Sequence, residues 1–259
     1  MKRVSVVLLL IATLFHVFGC SNNSENIDIS KWDLNAIGYY NGWDDSISEN
    51  YSIGIIDIDT KVKSDDKEVE IDHVELLKAI VLRLSDKCST DVILLSNKPS
   101  NDELNEAILT MISKGKRVIN ISLGTSLEFV FSEEVKRKIV EDNIFVICAG
   151  GNNTDGLLYP ALCSESISVI SCDIYGQVNK EMEKVDKISF TMPGQHINIC
   201  DSYFSGSSLS AVYLSVLSAA YVTIHPEVTT FELINLLQNC CEQSNEYSYG
   251  VVQIDKLFS

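Results

Sequence analysis

Residues 52–58, Ser52-Ile53-Gly54-Ile55-Ile56-Asp57-Ile58, set the pattern that the rest of the chain follows. The run is short, almost continuously apolar and rich in β-branched residues. A strand covered on both faces needs that composition, whereas a strand with one wet face would alternate. A helix signal comes next: Asp72 and Glu75 stand at capping-box spacing, and Leu77, Ile80, Val81 and Leu84 recur at helical period, predicting a helix from residue 73 to about 85. Strand and helix signals then alternate. A strand is expected over residues 91–95, a helix with the stripe Leu104, Ala107, Ile108, Met111 and Ile112, a strand over 117–122, a polar-faced helix over 132–142 and a strand over 144–148. Such alternation predicts an α/β fold, a parallel sheet covered by helices.

Residues 209–224 are apolar around the whole helical circumference and carry no charge, which demands either lipid or the centre of a large domain. Gly206 and a series of serines dilute the run, and a membrane span here would split the fold, so the segment is read as a central buried helix. Thr229 with Glu232 opens a last helix that ends near Cys240-Cys241.

The 259 residues include 36 acidic and 20 basic side chains, for a net charge of -16, which excludes a nucleic-acid partner held by charge. With 46% hydrophobic and 22% charged residues, 13 Gly and 4 Pro, the chain is neither disordered nor collagenous nor a repeat array. At this length a single large domain is expected.

The N-terminus reads as an address. Lys2 and Arg3 precede an apolar run over residues 4–18, shorter than the ~20 residues a membrane span needs. Val17-Phe18-Gly19-Cys20 resembles a bacterial lipobox, which implies cleavage before Cys20 and lipid attachment to its thiol. The expected organisation is a signal peptide over residues 1–19, a lipidated Cys20 with a polar tether over 20–50, and a folded domain over 51–259. The implied location is the extracytoplasmic face of the cell membrane. The remaining cysteines, Cys88, Cys148, Cys163, Cys172, Cys200, Cys240 and Cys241, lack Cys-x-x-Cys spacing. They support no metal site and are expected as buried free thiols, with Cys148 and Cys200 at the ends of apolar runs, although an extracytoplasmic location would permit disulfides.

Hydroxyl catalysis needs a nucleophile, an adjacent base, a group that orients the base, and donors for the oxyanion. Among the histidines after the signal, His196 lies in a turn and His225 precedes Pro226. Only His73 follows a strand-ending acid, Asp57, at the carboxyl end of a parallel strand, where α/β sheets place their sites. That pairing also occurs for capping or packing reasons.

Asn120-Ile121-Ser122-Leu123-Gly124, Cys148-Ala149-Gly150-Gly151-Asn152, Tyr159-Pro160-Ala161 and Gly206-Ser207-Ser208-Leu209-Ser210-Ala211 occur in the order and rough spacing of the subtilisin-like serine proteases. The chain resembles that family from Tyr51 to about Ile254. The resemblance implies a three-layer subtilisin-like fold and a serine endopeptidase that needs no cofactor and acts on a peptide or protein substrate. Ser208 would be the nucleophile, His73 its base and Asp57 the group that orients the base. Asn152, in preference to Asn153, would hold the oxyanion with the Ser208 backbone N–H. Ser122, Leu123 and Gly124 would pair with an extended substrate, and Ala149, Gly150 and Gly151 would line the pocket before the scissile bond.

The sequence departs from the family pattern in several places. Ile58-Asp59 follows the acid in place of Ser/Thr-Gly, and Val74 follows His73 where the family carries Gly. A second alignment matches His73-Val74 to a later His-Val and puts Glu70 at the base position, leaving no triad. Ser207, Leu209 and Ser210 keep the size class of the family residues, and Val212 stands where Pro is usual. The stretch between Cys20 and Asp57 is too short for an inhibitory folding domain. These departures keep open a second function, a degenerate lipoprotein that binds a peptide or protein without cutting it.

Overall fold

The computed structural model describes residues 29–152, 156–178, 187, 189–242 and 248–259. The lipidation residue Cys20, the signal over residues 1–19 and the alternative oxyanion donor Asn153 lie outside these.

Among the described residues, seven strands form one sheet in which every pairing is parallel. In chain order the elements are α1 (Trp32–Ala36), β1 (Tyr51–Ile58), β2 (Lys61–Lys63), β3 (Glu70–Asp72), α2 (His73–Leu84), β4 (Cys88–Leu95), α3 (Asn101–Ser113), β5 (Val118–Ile121), α4 (Glu133–Glu141) and β6 (Phe145–Ala149). There follow β7 (Ile167–Cys172), β8 (Ser189–Pro193), β9 (Ile197–Ile199), β10 (Ser202–Phe204), α5 (Ser207–Ile224), α6 (Thr230–Asn239), β11 (Cys241–Glu242), β12 (Ser248–Tyr249), β13 (Val251–Val252) and α7 (Ile254–Leu257). The sheet runs β12-β8-β7-β6-β5-β1-β4. Its winding therefore reverses at β1, and in open α/β sheets such a reversal opens a crevice at the strand carboxyl ends.

Side-chain parity distributes each strand between two cores. Ile53 and Ile55 of β1, Val118 of β5 and Phe145 and Ile147 of β6 face the layer of α2 and α5. Ile56, Ile119, Ile121, Val146 and Cys148 face the layer of α3 and α4. Two helical layers around one sheet give the three layers expected. On the α3 face, Gly54 lets the helix close in, since an added Cβ would come 2.9 Å from Met111 Sδ. By the same parity Asp57 points with Ile53 and Ile55 toward the α2 and α5 layer.

The central helix α5 is buried at nearly every position, with only its last turn reaching solvent. It is the single helix, among the described residues, long and apolar enough to cross a membrane, and it lies inside the domain instead. Capping follows the sequence in part. The Thr229–Glu232 capping box at α6 forms as expected, and Ser100 and Ser132 cap α3 and α4. Asp72 makes no side-chain cap at α2, because it pairs in β3 while Glu75 bonds Lys78 at 2.8 Å.

The start of the packed body corrects the expected boundary at residue 51. Trp32, Ile37, Trp43 and Ile47 are buried in the α2 and α5 core. Trp43 Nε1 donates to Leu84 O (2.8 Å), and Gln253 Nε2 donates to Ala36 O (2.8 Å). Asp33, fully buried, accepts from Arg83 Nη2 at 2.8 Å and from the Tyr213 hydroxyl. Burial raises the Asp33 pKa, and the Arg83 charge opposes that rise. Residues 29–50 are therefore part of the domain and not a tether. Cys88, Cys148, Cys163, Cys172 and Cys240 are buried free thiols as expected, and burial pushes Cys148 up to about 12. Cys200 departs from that expectation: it is exposed, at φ 50° in the turn between β9 and β10.

Candidate active site

Three elements meet at the crevice. Asp57 lies at the end of β1, and one of its oxygens is held by the Ile58 backbone N–H (2.8 Å to Oδ1). In place of the tight Gly turn of the family, the chain leaves β1 through the β2–β3 hairpin. The hairpin returns to its starting point, where His73 N–H donates to Thr60 O (2.9 Å), and so delivers His73 to the first turn of α2 directly beside Asp57. Val74 packs half-buried against the α2 and α5 core, which accommodates its branched side chain. Glu70 is exposed in β3 and takes no part, which removes the alternative alignment.

His73 Nδ1 lies 2.7 Å from Asp57 Oδ2, and its Nε2 lies 2.8 Å from Ser208 Oγ. A carboxylate only accepts, so Nδ1 carries the proton and Nε2 is left to accept from the Ser208 hydroxyl. Asp57 is fully buried, and His73 and Ser208 are each 7% exposed, so the series is screened from water yet reachable at its serine end. Ser208 sits in the first turn of α5, where backbone N–H groups have no partner within the helix and the helix dipole favours developing negative charge.

Asn152 is joined to the nucleophile segment by a reciprocal clamp. Ser207 N–H donates to Asn152 Oδ1 (2.7 Å), and Gly151 N–H donates to Ser207 Oγ (3.1 Å). The clamp uses the amide oxygen, so the Asn152 Nδ2 donor faces the crevice. Gly151 makes the necessary turn at φ 116°. A Cβ built on Gly206 would stand 3.2 Å from Ser208 Oγ, 3.5 Å from Asn152 Nδ2 and 3.9 Å from Ser208 N. That point marks a space bounded by the hydroxyl and both candidate oxyanion donors, and only the absence of a side chain keeps it open. Ser207 and Gly206 were not singled out from the sequence in these roles; their adjacency to Ser208 was the available signal.

The expected substrate segments occupy the carboxyl ends of neighbouring strands. Ser122, Leu123 and Gly124 continue β5, with Leu123 packed into the α3 and α4 core and Gly124 exposed. Ala149 ends β6, and Gly150 and Gly151 lead to Asn152. Beneath them Asn120 is fully buried, donating to Ser122 Oγ (2.7 Å) and accepting from Ser215 Oγ (3.3 Å), and so links β5 to α5.

A buried carboxylate, an imidazole and a helix-start serine in hydrogen-bonded series, in the chain order Asp, His, Ser, on a parallel α/β sheet, define the serine-protease class. Residues 88–250, more than half of the chain, match the family model described as "Subtilase family", and the chain belongs to that family. The match includes Asn152 and Ser208 and begins after Asp57 and His73, which only the fold brings to them.

Among curated proteins the chain is similar to the minor extracellular protease Epr of Bacillus subtilis (strain 168), 22% identical over 149 residues, covering 52% of this chain and 23% of that protein. It is also similar to the major intracellular serine protease of the same organism, 28% identical over 109 residues, covering 38% of this chain and 34% of that one. These matches span only about a quarter to a third of the relatives' length. Among solved structures, fervidolysin from Fervidobacterium pennivorans, a keratinolytic enzyme related to subtilisin, superposes with a TM-score of 0.68 at 18% identity, covering 88% of this chain and 45% of that one. A lanthipeptide protease gives 0.66 at 15% identity, covering 90% and 95%. At such identity the likeness concerns the fold.

Proposed function

We propose that the chain is a serine endopeptidase that cleaves peptide bonds through an acyl-enzyme on Ser208. The observation that carries this reading is the unbroken series Asp57–His73–Ser208 at 2.7 and 2.8 Å. In the proposed reaction His73 Nε2 takes the Ser208 proton as Oγ attacks the carbonyl carbon, and Asp57 holds the imidazole and stabilises its protonated form. Asn152 Nδ2 and the Ser208 N–H receive the negative oxygen. His73 then returns the proton to the leaving amine, and water releases the acyl group by the same route. None of these steps needs a cofactor. The substrate is a peptide or protein, lying along Ser122–Gly124 with one side chain directed toward residues 149–151.

The proposal extends to location: a lipid on Cys20 holds the domain at the extracytoplasmic face of the cell membrane. The support is the lipobox-like Val17-Phe18-Gly19-Cys20 after a short basic and apolar head. The names of the curated relatives, one extracellular and one intracellular, do not choose between compartments.

The test is labelling of the full chain, purified in detergent, with a fluorophosphonate probe, beside Ser208→Ala and His73→Ala. Labelling that requires both residues supports the peptidase. A folded chain that never labels transfers the conclusion to the non-cleaving, peptide-binding lipoprotein. Incorporation of a clickable fatty acid that is lost in Cys20→Ala tests the anchor, and incorporation independent of Cys20 refutes it.

A further inference from the structure

The pairing of β5 with β6 ends at Ile121 opposite Cys148. Beyond that point the two chains bond outward, away from each other. Ser122 N–H donates to Ile56 O of β1 (3.1 Å), and Gly150 N–H donates to Val169 O of β7 (2.8 Å). Neighbouring strands that part in this way leave a slot between residues 122–124 and 149–151. Because Gly151 is followed by Asn152 and bonded to Ser207, the slot opens beside the candidate nucleophile.

Each wall of the slot carries a glycine, and each of these glycines bears against a leucine. A Cβ on Gly124 would come 2.9 Å from Leu158 Cδ1 and 3.0 Å from Leu158 Cβ. One on Gly150 would come 2.7 Å from Leu157 Cδ2 and 2.9 Å from Ile170 Cγ2. Leu157 is buried against Gly150, whereas Leu158 is half-exposed. Leu158 reaches both walls at once: its backbone N–H donates to Gly150 O (2.9 Å) while its side chain lies on Gly124. The main chain that carries it is fixed, because the next residue is pinned to the first wall by two backbone hydrogen bonds. Thr125 N–H donates to Tyr159 O, and Tyr159 N–H donates to Thr125 O, each at 2.9 Å.

We infer that Leu158 is a specificity-determining residue: it fills the slot that receives the substrate side chain preceding the scissile bond and confines that side chain to Gly, Ala or Ser. The inference rests on the peptidase reading proposed above. An isobutyl group already packed against the Gly124 wall takes the volume a bulky substrate side chain would need. A close-packed site does not make room without displacing what fills it.

The experiment uses the full chain in detergent, with its reactive serine titrated by fluorophosphonate, and a pair of peptidyl p-nitroanilides that differ only in Ala or Phe before the anilide. The wild type is expected to give a kcat/KM for the Ala substrate at least tenfold above that for Phe. Leu158→Gly should move the ratio at least tenfold toward Phe while the titratable serine fraction is retained. Leu158→Ala, which keeps a Cβ for backbone stiffness, should move it in the same direction by less. A wild type that labels fully but cleaves the Phe substrate as well as the Ala substrate overturns the inference and leaves the peptidase standing, as do variants that keep the wild-type ratio. A wild type that does not label at all brings down the peptidase reading and this inference with it.

Discussion

Asp57→Asn changes one atom and nearly no volume, and the structure fixes what that atom must do. The carboxylate accepts twice, from Ile58 N–H at Oδ1 (2.8 Å) and from His73 Nδ1–H at Oδ2 (2.7 Å), and it is fully buried. An asparagine has one acceptor for these two donors. With its oxygen kept toward Ile58, its amide N–H faces His73 Nδ1, which must then accept, so the ring proton moves to Nε2 and the base is lost to Ser208. Turned the other way, the amide sets a donor against the half-buried Ile58 N–H, at a cost of about 1 kcal/mol, a factor of roughly 5. The inactive arrangement therefore dominates, and the charge that steadies the imidazolium is gone in either case. Together these should lower kcat by about 10⁴-fold, or about 5 kcal/mol, the size seen when a triad acid is neutralised elsewhere. The assay is fluorophosphonate labelling rate and peptidase turnover on protein whose thermal unfolding is recorded in parallel. An Asp57→Asn chain that is folded and retains activity within tenfold of the wild type would show that Asp57 does not govern the tautomer of His73.

Further outcomes follow from the same geometry. Asn152→Ala should lower kcat by roughly 10² to 10³ with little change in KM, because the Nδ2 donor acts on the oxyanion; an unchanged rate removes it from that role. Gly206→Ala should fold normally, since φ 164° is extended backbone open to any residue, yet lose turnover and labelling because the new methyl occupies the space between Ser208 Oγ and Asn152 Nδ2. Steady-state rates beside melting curves separate that outcome from simple unfolding. Lys187 Nζ donates to Ala161 O (2.8 Å), Ser166 O (2.7 Å) and Cys163 O, so Lys187→Met should cost about 1.5–3 kcal/mol in denaturant unfolding. Burial holds the Lys187 pKa below its ordinary value. Between the folded and unfolded values the unfolded chain binds more protons, so this group makes the wild type gain stability as pH rises through that window, a slope the Met variant should lack.

Local pattern carried much of the fold. The strand at residues 52–58, the helix stripes and the buried run at 209–224 were legible because burial on one or both faces imposes a period on adjacent residues. The Thr229–Glu232 cap was legible because both partners lie within one helical turn. The same cap motif at Asp72 and Glu75 did not form, because Asp72 is claimed by the β2–β3 hairpin, a pairing that no helical period reports. Residues 29–50 read as a polar tether because their burial comes from scattered anchors, Trp32, Ile37, Trp43 and Ile47, and from an Asp33–Arg83 pair fifty positions apart. Cys200 ended an apolar run and was expected inside, but a hairpin turn carries it to the surface.

For the site, the residue types and their order were readable, and the resemblance supplied Asp57, His73, Asn152 and Ser208 as candidates. Whether Val74 and Ile58 had broken the constellation was not readable, nor was the choice between His73 and Glu70. Those questions turn on where β1, the hairpin, α2 and α5 come to rest, and the His73–Ser208 contact joins residues 135 positions apart. Sequence period records which face of an element is buried, because that is a property of neighbours along the chain. The meeting of a strand end with two helix starts is set by how the layers pack around the sheet, and only the tertiary structure decides it.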